Sequence, residues 1–568
     1  MKKIELLAPA GSLPNLKAAV TSGADSVYLG MTKFNAREFA LNFNEEYLKE
    51  AIAICKSNNV KVYLTANTLI KNNEIDEFLE MIKYAYEAGI DSVIIQDPSF
   101  ISIIRKSFPG LRIHLSTQAG IMNSCHANLF ESDRINLARE LRKNNIESIR
   151  NNYKKEIEMF VHGALCACVS GSCLFSSLLG GRSGNRGKCA QPCRKRYNDS
   201  FILSTKELCL LEKLPEIIRM KIDSLKIEGR MRTPYYVATV TSIYRKAIDL
   251  CYEGKFKVTS EMRSLLESAF SREFTEGKFS NQPVFNPKKA AGTSNITKVN
   301  YEPAVKQIVI EKRKSKIELP ELTNSQAEKN QLIVRVYNEK DALIASKYAD
   351  IICLNMFNNQ FSAIKKETSK PIYAVTPRIM FDSDVPIIKK KISELKPDGL
   401  IAGNLGILNM HLSLPVILDY NSNCFNDFQV QYYAKLGAKP IISPELSLSE
   451  LSKFKNKDFV VFVHGKIRLM TLAHKLPGGK ITDEKGFSFY TDSIQNGAEI
   501  INAKELGLFN KIRGLIKSGI SQIYIDTDNS ANLERVLRVY SEILSGKQID
   551  TSYVQKDYVL GWSKIGVL

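Results

Sequence analysis

Six of the eleven cysteines in this chain fall between positions 166 and 209. Cys166, Cys168 and Cys173 share one glycine-flanked stretch, Cys189 and Cys193 follow in Gly187-Lys-Cys-Ala-Gln-Pro-Cys193, and Cys209 closes the series. In a reducing compartment such crowding points to metal binding or catalysis rather than to a disulfide framework. Thiolates select zinc, copper(I) or iron–sulfur centres over hard cations. A pair of tight C-x2-C knuckles would indicate structural zinc, and the segment has none. Its uneven spacing suits an iron–sulfur cluster better, with zinc as the alternative and unliganded buried thiols as the bland reading. Small residues around the thiols let the backbone fold closely about a cluster and donate N–H groups to its sulfurs.

Arg182, Arg186, Lys188, Arg194, Lys195 and Arg196 crowd the same segment, with no acidic residue between Arg182 and Arg196. A solvated loop gains nothing from that repulsion. Charges so placed can lower thiolate pKa values, balance a cluster, or grip phosphate or carboxylate, so the six are candidate substrate-binding residues.

The elements that must position these groups alternate between short β-branched runs and amphipathic stretches, the pattern of repeated βα units. Eight runs are expected in the first half: 5–8, 26–30, 61–66, 92–96, 112–116, 134–138, 159–162 and 224–228. Eight parallel strands imply a closed (β/α)8, TIM-like barrel, whose active face lies at the C-terminal strand ends. The cysteine segment interrupts the chain before the eighth strand, so it is expected on that face. Gln118 after strand five, Glu140 (beside Arg139) after strand six, and Glu228 and Arg230 after strand eight are the candidate catalytic residues. The competing reading of Glu228 and Arg230 is a structural ion pair. His162 is better read as a satisfied barrel-mouth histidine than as a ligand or base.

The second half repeats the scheme, with runs at 332–337, 351–355, 371–375, 399–403, 415–419, 439–443, 459–464 and 522–526. Phe160-Val-His-Gly163 returns 302 residues later as Phe462-Val-His-Gly465, and Lys206-Glu-Leu208 returns as Lys504-Glu-Leu506. Near-constant offsets in matching order argue for duplication. The expected architecture is α/β, two tandem (β/α)8 barrels: residues 1–232 with the cysteine insertion 163–210, a helical and basic linker 233–325, and a degenerate second barrel 326–568. The second copy has no cysteine between His464 and Glu505, where Lys466, Arg468 and His474 stand instead, so it reads as a scaffold, a dimer-like partner or a substrate platform. The run Lys312-Arg-Lys-Ser-Lys316 reads as a solvated charge run.

Lys and Arg number 79 against 60 Asp and Glu, a net charge of +19 that favours a polyanionic partner such as RNA. No signal peptide and no apolar run of membrane-spanning length is seen, so a cytoplasmic protein without a membrane partner is expected. There is no H-E-x-x-H and no G-x-S-x-G, so sequence gives proteolysis little independent support.

Phe160-Val-His-Gly-Ala-Leu-Cys166 through Gly171-Ser-Cys173-Leu-Phe-Ser176 resembles the signature of the U-32, collagenase-like peptidase family. Further matches are Leu7-Ala-Pro-Ala-Gly11, Ser116-Thr-Gln118, Arg139-Glu140, Cys189-Ala-Gln-Pro-Cys193-Arg194, Lys206-Glu-Leu-Cys209 and Lys226-Ile-Glu-Gly-Arg230. They cover residues 4 to 285, and the second half resembles a degenerate copy. The resemblance implies a 4Fe–4S cluster on Cys166, Cys173, Cys189 and Cys209, with Cys193 as the alternate ligand and Cys168 as a packing residue. It further implies oxygen-independent hydroxylation, whose known substrates are a tRNA wobble uridine, an rRNA cytidine and ubiquinone precursors. Prephenate is the expected hydroxyl donor of the RNA branches, and a protein electron donor is an expected partner. Three functions follow: an RNA base hydroxylase, a U-32-type peptidase acting on protein, and a cluster-bearing RNA-binding or assembly factor without turnover.

Overall fold

The computed structural model describes residues 3–289, 292–297, 299–306, 313–325, 329–527, 532–555 and 558–568. Its contacts divide the chain into one unit of Met1–Pro320 with Asp483–Gly486, and a second of Glu321–Thr482 with Phe487–Leu568.

In the first unit, eight parallel strands close into a barrel. They are β1 (Glu5–Pro9), β2 (Ser26–Gly30), β3 (Lys61–Ala66), β4 (Ser92–Ile95), β5 (Arg112–Leu115), β6 (Arg134–Asn136), β7 (Glu156–Ala164) and, after the antiparallel β8 (Glu207–Cys209), β9 (Ser224–Ile227). β9 pairs in parallel with both β1 and β7, which completes the ring. β8 lies antiparallel on the extended end of β7 and carries β10 (Phe274–Thr275) on its other edge. Leu7, Tyr28, Tyr63 and Ile94 pack together as part of the buried core. Strands buried on both faces read as continuous apolar runs, which is why the sequence marks them so clearly.

The helix Pro234–Tyr252 packs on β1 and on the helix Leu13–Thr21, so it is the eighth barrel helix rather than part of a linker. Thr233 caps its N-terminus and Pro234 opens it, a start signal that the sequence carries plainly. The boundary expected at 232 therefore moves. Farther on, Ala304, Lys306, Arg313, Ser315 and Glu318 hydrogen-bond Asn58, Ser57, Ile90, Glu87 and Ser107 on the outer helices and turns of the same barrel. The described residues of this stretch, 304–306 and 313–318, run as an irregular strap and form no helix. Of the basic run 312–316, Lys312 lies outside the described residues.

The second unit holds eight parallel strands in matching order: β11 (Gln331–Val336), β12 (Ile351–Asn355), β13 (Ile372–Val375), β14 (Gly399–Ala402), β15 (Val416–Leu418), β16 (Ala438–Pro440), β17 (Val461–Gly465) and β23 (Gln522–Asp526). The sheet is curled, and its ends meet through one parallel bridge, Ile441 to Val460, just beyond β16 and before β17. Between β17 and β23 lies a four-stranded antiparallel sheet, ordered β18 (Arg468–Leu472), β21 (Gly497–Asn502), β20 (Ser488–Ile494) and β19 (Gly479–Thr482), with β22 (Leu506–Gly507) antiparallel on β17. That sheet stands where the first copy carries its cysteines.

The repeat reaches atomic detail. Both seventh strands are irregular beside their histidine, at Phe160/His162 and at Phe462/His464. The Tyr244 hydroxyl donates to Val161 O at 2.9 Å, and the Tyr540 hydroxyl to Val463 O at 3.1 Å. Gly163 and Gly465 both adopt positive φ, and a Cβ on either would strike the carbonyl of Glu228 or Asp526. Only glycine suits such a position.

Candidate metal centre

The insertion after β7 is built from turns rather than from regular elements: 3₁₀ turns at Ser176–Leu178, Gly184–Arg186 and Pro192–Arg194. Ser176 ties them together, donating to Arg182 O at 2.6 Å and accepting from Ala190 N at 2.7 Å. Two glycines bring the loop onto the barrel. A Cβ at Gly171 would lie 1.9 Å from Gln118 O, and one at Gly187 would lie 2.2 Å from Asn35 O. Both residues have positive φ.

None of the eleven cysteines is joined in a disulfide. Cys166, Cys173, Cys189 and Cys193 are electrostatic neighbours. Burial pushes the Cys166 thiol far up, and Cys193 and Cys173 push it further. Cys193 is raised to about 12, chiefly by burial, with Arg194 opposing and Cys189 and Cys173 adding. Cys189 is raised by burial and by Cys173, while the Gln191 N–H, 3.4 Å from its sulfur, and Arg37 hold it down. Protonated thiols therefore dominate until a cation replaces the protons, and loading must release them.

Cys209, expected among the ligands, stands on β8, and beyond burial the influences on its thiol come from Leu211, Tyr244, Glu212 and Arg263 rather than from another cysteine. It pairs with His162 across β7 and β8, and its sulfur meets the Tyr244 hydroxyl at 3.9 Å. Spacing along the chain cannot show toward which wall a strand residue turns. Cys193, the alternate, stands in the group instead. Cys168 is fully buried, as a packing residue should be. Among the described residues no three His, Cys, Asp or Glu side chains converge on one point as formed metal ligands. The donor set nevertheless fits a soft centre: four thiols, a backbone N–H on one sulfur, and arginines on the rim.

The candidate catalytic residues gather at the C-terminal strand ends. Glu228, after β9, accepts from Arg37 Nε at 3.2 Å and from Nη2 at 3.1 Å. Burial opposes its charge, but Arg37 and Arg139 hold its pKa below the usual range. Arg37 was not foreseen, since a single arginine in the β2 loop carries no motif. Arg230 is buried and donates to Thr65 Oγ1 at 3.0 Å, to Asn35 Oδ1 at 2.8 Å and to Asn42 Oδ1. Desolvation lowers its pKa to about 10, and its Nε has no partner among the described residues. Glu140 is buried without a side-chain partner for its carboxylate, and burial raises it to about 7 against the pull of Arg139 and of the backbone N–H groups of Glu140 and Arg139. Arg139 donates to Ala164 O at 2.7 Å and lies over the Phe160 ring. Gln118 touches the site through its backbone: its carbonyl meets Gln96 Nε2 at 3.4 Å, and its N–H donates to Ser116 Oγ at 3.2 Å.

The six basic residues divide. Arg186 makes a forked ion pair with Glu74, at 2.8 and 2.5 Å, and also donates to Leu69 O. Arg194 donates to Ser204 Oγ, Thr205 O and Thr205 Oγ1 at 2.8–2.9 Å. Arg182 donates to Lys188 O and Cys189 O and lies over the Phe39 ring. These three knit the insertion together. The acids that balance it come from other loops, which a local count of charges could not reveal. Lys188 is 3.7 Å from Glu38, Lys195 is half-buried, and Arg196 is exposed above the Phe201 ring.

His162 is buried among Tyr236, Tyr244 and Phe274, with Nδ1 3.3 Å from the Tyr244 hydroxyl. That is the structural histidine expected from the sequence.

The family model of peptidase family U32 matches residues 11–287 and 359–557. An uncharacterized protease of Methanocaldococcus jannaschii is 38% identical over 300 residues, 49% of this chain and 73% of that protein. The tRNA hydroxylation protein P1 of Bacillus subtilis is 34% identical over 341 residues, 55% of this chain and 81% of that protein. The 23S rRNA 5-hydroxycytidine C2501 synthase of Escherichia coli is 34% identical over 268 residues, 44% of this chain and 40% of that protein. With both of its halves matched by the family model, the chain belongs to peptidase family U32.

Proposed function

We propose that the protein hydroxylates a base in tRNA or rRNA without molecular oxygen, and that Cys166, Cys173, Cys189 and Cys193 hold a 4Fe–4S cluster at the barrel mouth. The observation that carries the reading is this thiol group, in the insertion beside the catalytic strand ends, in a chain whose relatives include proteins named for RNA hydroxylation. When bound, the cluster would supply one-electron chemistry.

The mouth supports an anionic co-substrate. Arg37, Arg139 and Arg230 act on Glu228, which stays ionised, and Arg139 acts on Glu140, which burial holds half-protonated near neutral pH. The surplus is positive and suits a carboxylate hydroxyl donor such as prephenate. Glu140, with no side-chain partner and titrating near neutrality, suits proton transfer. A protein electron donor completes the scheme. The peptidase reading finds less to use: His162 is walled in by aromatic rings and lowered to about 3.

Anaerobic purification tests the cluster assignment. The protein should be brown, with about four irons and about four sulfides per chain. Replacing Cys166, Cys173, Cys189 or Cys193 by Ala should remove the colour, whereas Cys209→Ala should keep it. Stoichiometric zinc without iron would overturn the assignment.

A further inference from the structure

We infer that Phe39 is a stacking platform for an unpaired base of the RNA strand, next to the cysteine insertion. The inference rests on the RNA reading above and names a residue that this reading does not require.

Phe39 lies in the loop after β2, on the C-terminal face of the first barrel, and is 57% exposed. Leu41, two residues on, is 85% exposed. Single exposed apolar residues are common on protein surfaces. Two observations set Phe39 apart.

The first is that its loop is braced by hydrogen bonds at both ends. Asn35 Nδ2 donates to Met31 O at 2.7 Å, and Ala36 N donates to Asn67 Oδ1 at 3.1 Å. Asn42 Nδ2 donates to Glu38 O and Ala40 O, and Asn42 N donates to Gly11 O. An aromatic ring at the tip of so braced a loop is presented to solvent rather than frayed into it.

The second is that Arg182 lies over the ring, 5.0 Å from its centroid, while donating to Lys188 O and to the carbonyl of Cys189. One guanidinium thus connects the exposed ring to the peptide of a thiol in the centre. An aromatic ring backed by a cation is the arrangement on which single-stranded bases stack.

Charge selects the occupant. Arg182, Lys188 and Arg37 surround this loop; Glu38 lies 3.7 Å from Lys188 and Glu228 pairs with Arg37, so the local balance stays positive through Arg182, and the chain carries a net charge of +19. A polyanionic strand is attracted here, and a second copy of the chain is repelled.

The test uses full-length, anaerobically purified protein with two probes: unfractionated tRNA, and a short single-stranded RNA carrying 2-aminopurine. Phe39→Ala should weaken binding of both about tenfold or more, and Phe39→Trp should restore it. Phe39→Leu, which keeps apolar bulk without a π face, should behave like Phe39→Ala. The dependence of affinity on salt should be unchanged in all three, because Phe39 neutralises no phosphate. Iron content at the wild-type level shows that the exposed substitution leaves the centre intact.

Phe39→Ala binding like wild type would overturn the inference while leaving the RNA reading standing. Phe39→Leu binding like wild type would overturn stacking in favour of plain apolar contact. A Phe39→Ala change in self-association without any change in RNA affinity would assign the ring to a contact between copies. Failure of the wild-type protein to bind either RNA would remove the RNA reading, and this inference with it.

Discussion

At the residue scale, the six basic side chains of the insertion carry two different tasks, and the tasks have separable consequences. Arg186 is tied to Glu74 by two hydrogen bonds, with both side chains largely buried, and Glu74 is held below its ordinary pKa despite desolvation. Breaking such a pair strands the carboxylate, so Arg186→Ala should cost roughly 1–3 kcal/mol of stability in the first unit. Lys195 and Arg196 make no such bond to an acid among the described residues, so Lys195→Glu with Arg196→Glu should leave stability within about 0.5 kcal/mol of wild type. Denaturant titrations of the two variants distinguish these outcomes. Glu140 is a third kind of residue. Glu140→Gln keeps its shape but removes its proton, and should lower hydroxylation about 100-fold or more while iron content stays unchanged. Full activity in that variant would remove Glu140 from the chemistry.

At the element scale, the seventh strand of each copy ends in a buried histidine. His464 packs against Phe509, Tyr540 and Tyr558, and burial lowers it to about 3, far under its ordinary value of 6.5. A folded pKa below the unfolded one means that the unfolded chain takes up the proton first. Stability is therefore complete above about pH 6.5 and is lost as pH falls toward about 3, at about 1.4 kcal/mol per unit. Between pH 7 and pH 5, His464→Phe should lose about 2 kcal/mol less stability than wild type. Equal acid sensitivity in urea titrations of the two proteins would contradict the buried neutral histidine.

The strands themselves were legible because a parallel barrel buries both faces of each one, leaving uninterrupted runs such as Val93-Ile-Ile95. The antiparallel sheet in the second insertion was not foreseen. Its signal is present in Phe489, Tyr490, Thr491 and Asp492, which alternate between buried and exposed, but the matching offsets on either side of it point only to the missing cysteines. The choice between Cys193 and Cys209 was not legible at all. It depends on the fold of the loop and on the side of β8 from which the sulfur projects, and neither leaves a mark in spacing.

At the scale of the whole molecule, duplication has left two barrel mouths with different charge. In the second copy Arg335, Arg378 and Arg468 meet Asp419, Glu499 and Asp526 in a balanced buried network. Arg378 binds Asp419 at 2.8 and 3.1 Å, Arg468 binds Glu499 at 2.8 Å and also pairs with Asp526, and Arg335 lies 3.7 Å from Asp526. Each charge is answered from within. The first mouth has three arginines for one firmly ionised carboxylate, together with the thiols. The second copy thus keeps the strand order while its mouth carries neither the cysteine group nor the positive surplus of the first.

Polyanion binding should follow the first unit's outer charges. RNA affinity should fall steeply with salt, and the paired reversal at Lys195 and Arg196 should flatten log K against log salt by roughly 0.7–0.9 for each phosphate no longer neutralised. A slope identical to wild type would place the RNA elsewhere.

The central claim is that this chain installs a hydroxyl on an RNA base through its cysteine centre. Nucleoside mass spectrometry of total tRNA and rRNA tests it most directly, comparing the parent strain, a deletion strain, and the deletion complemented with wild-type protein or with Cys166→Ala. The account predicts one nucleoside lighter by about 16 Da, one oxygen, in the deletion strain, restored by the wild-type protein and not by Cys166→Ala. Nucleosides identical in all four strains would contradict it, as would full restoration by Cys166→Ala.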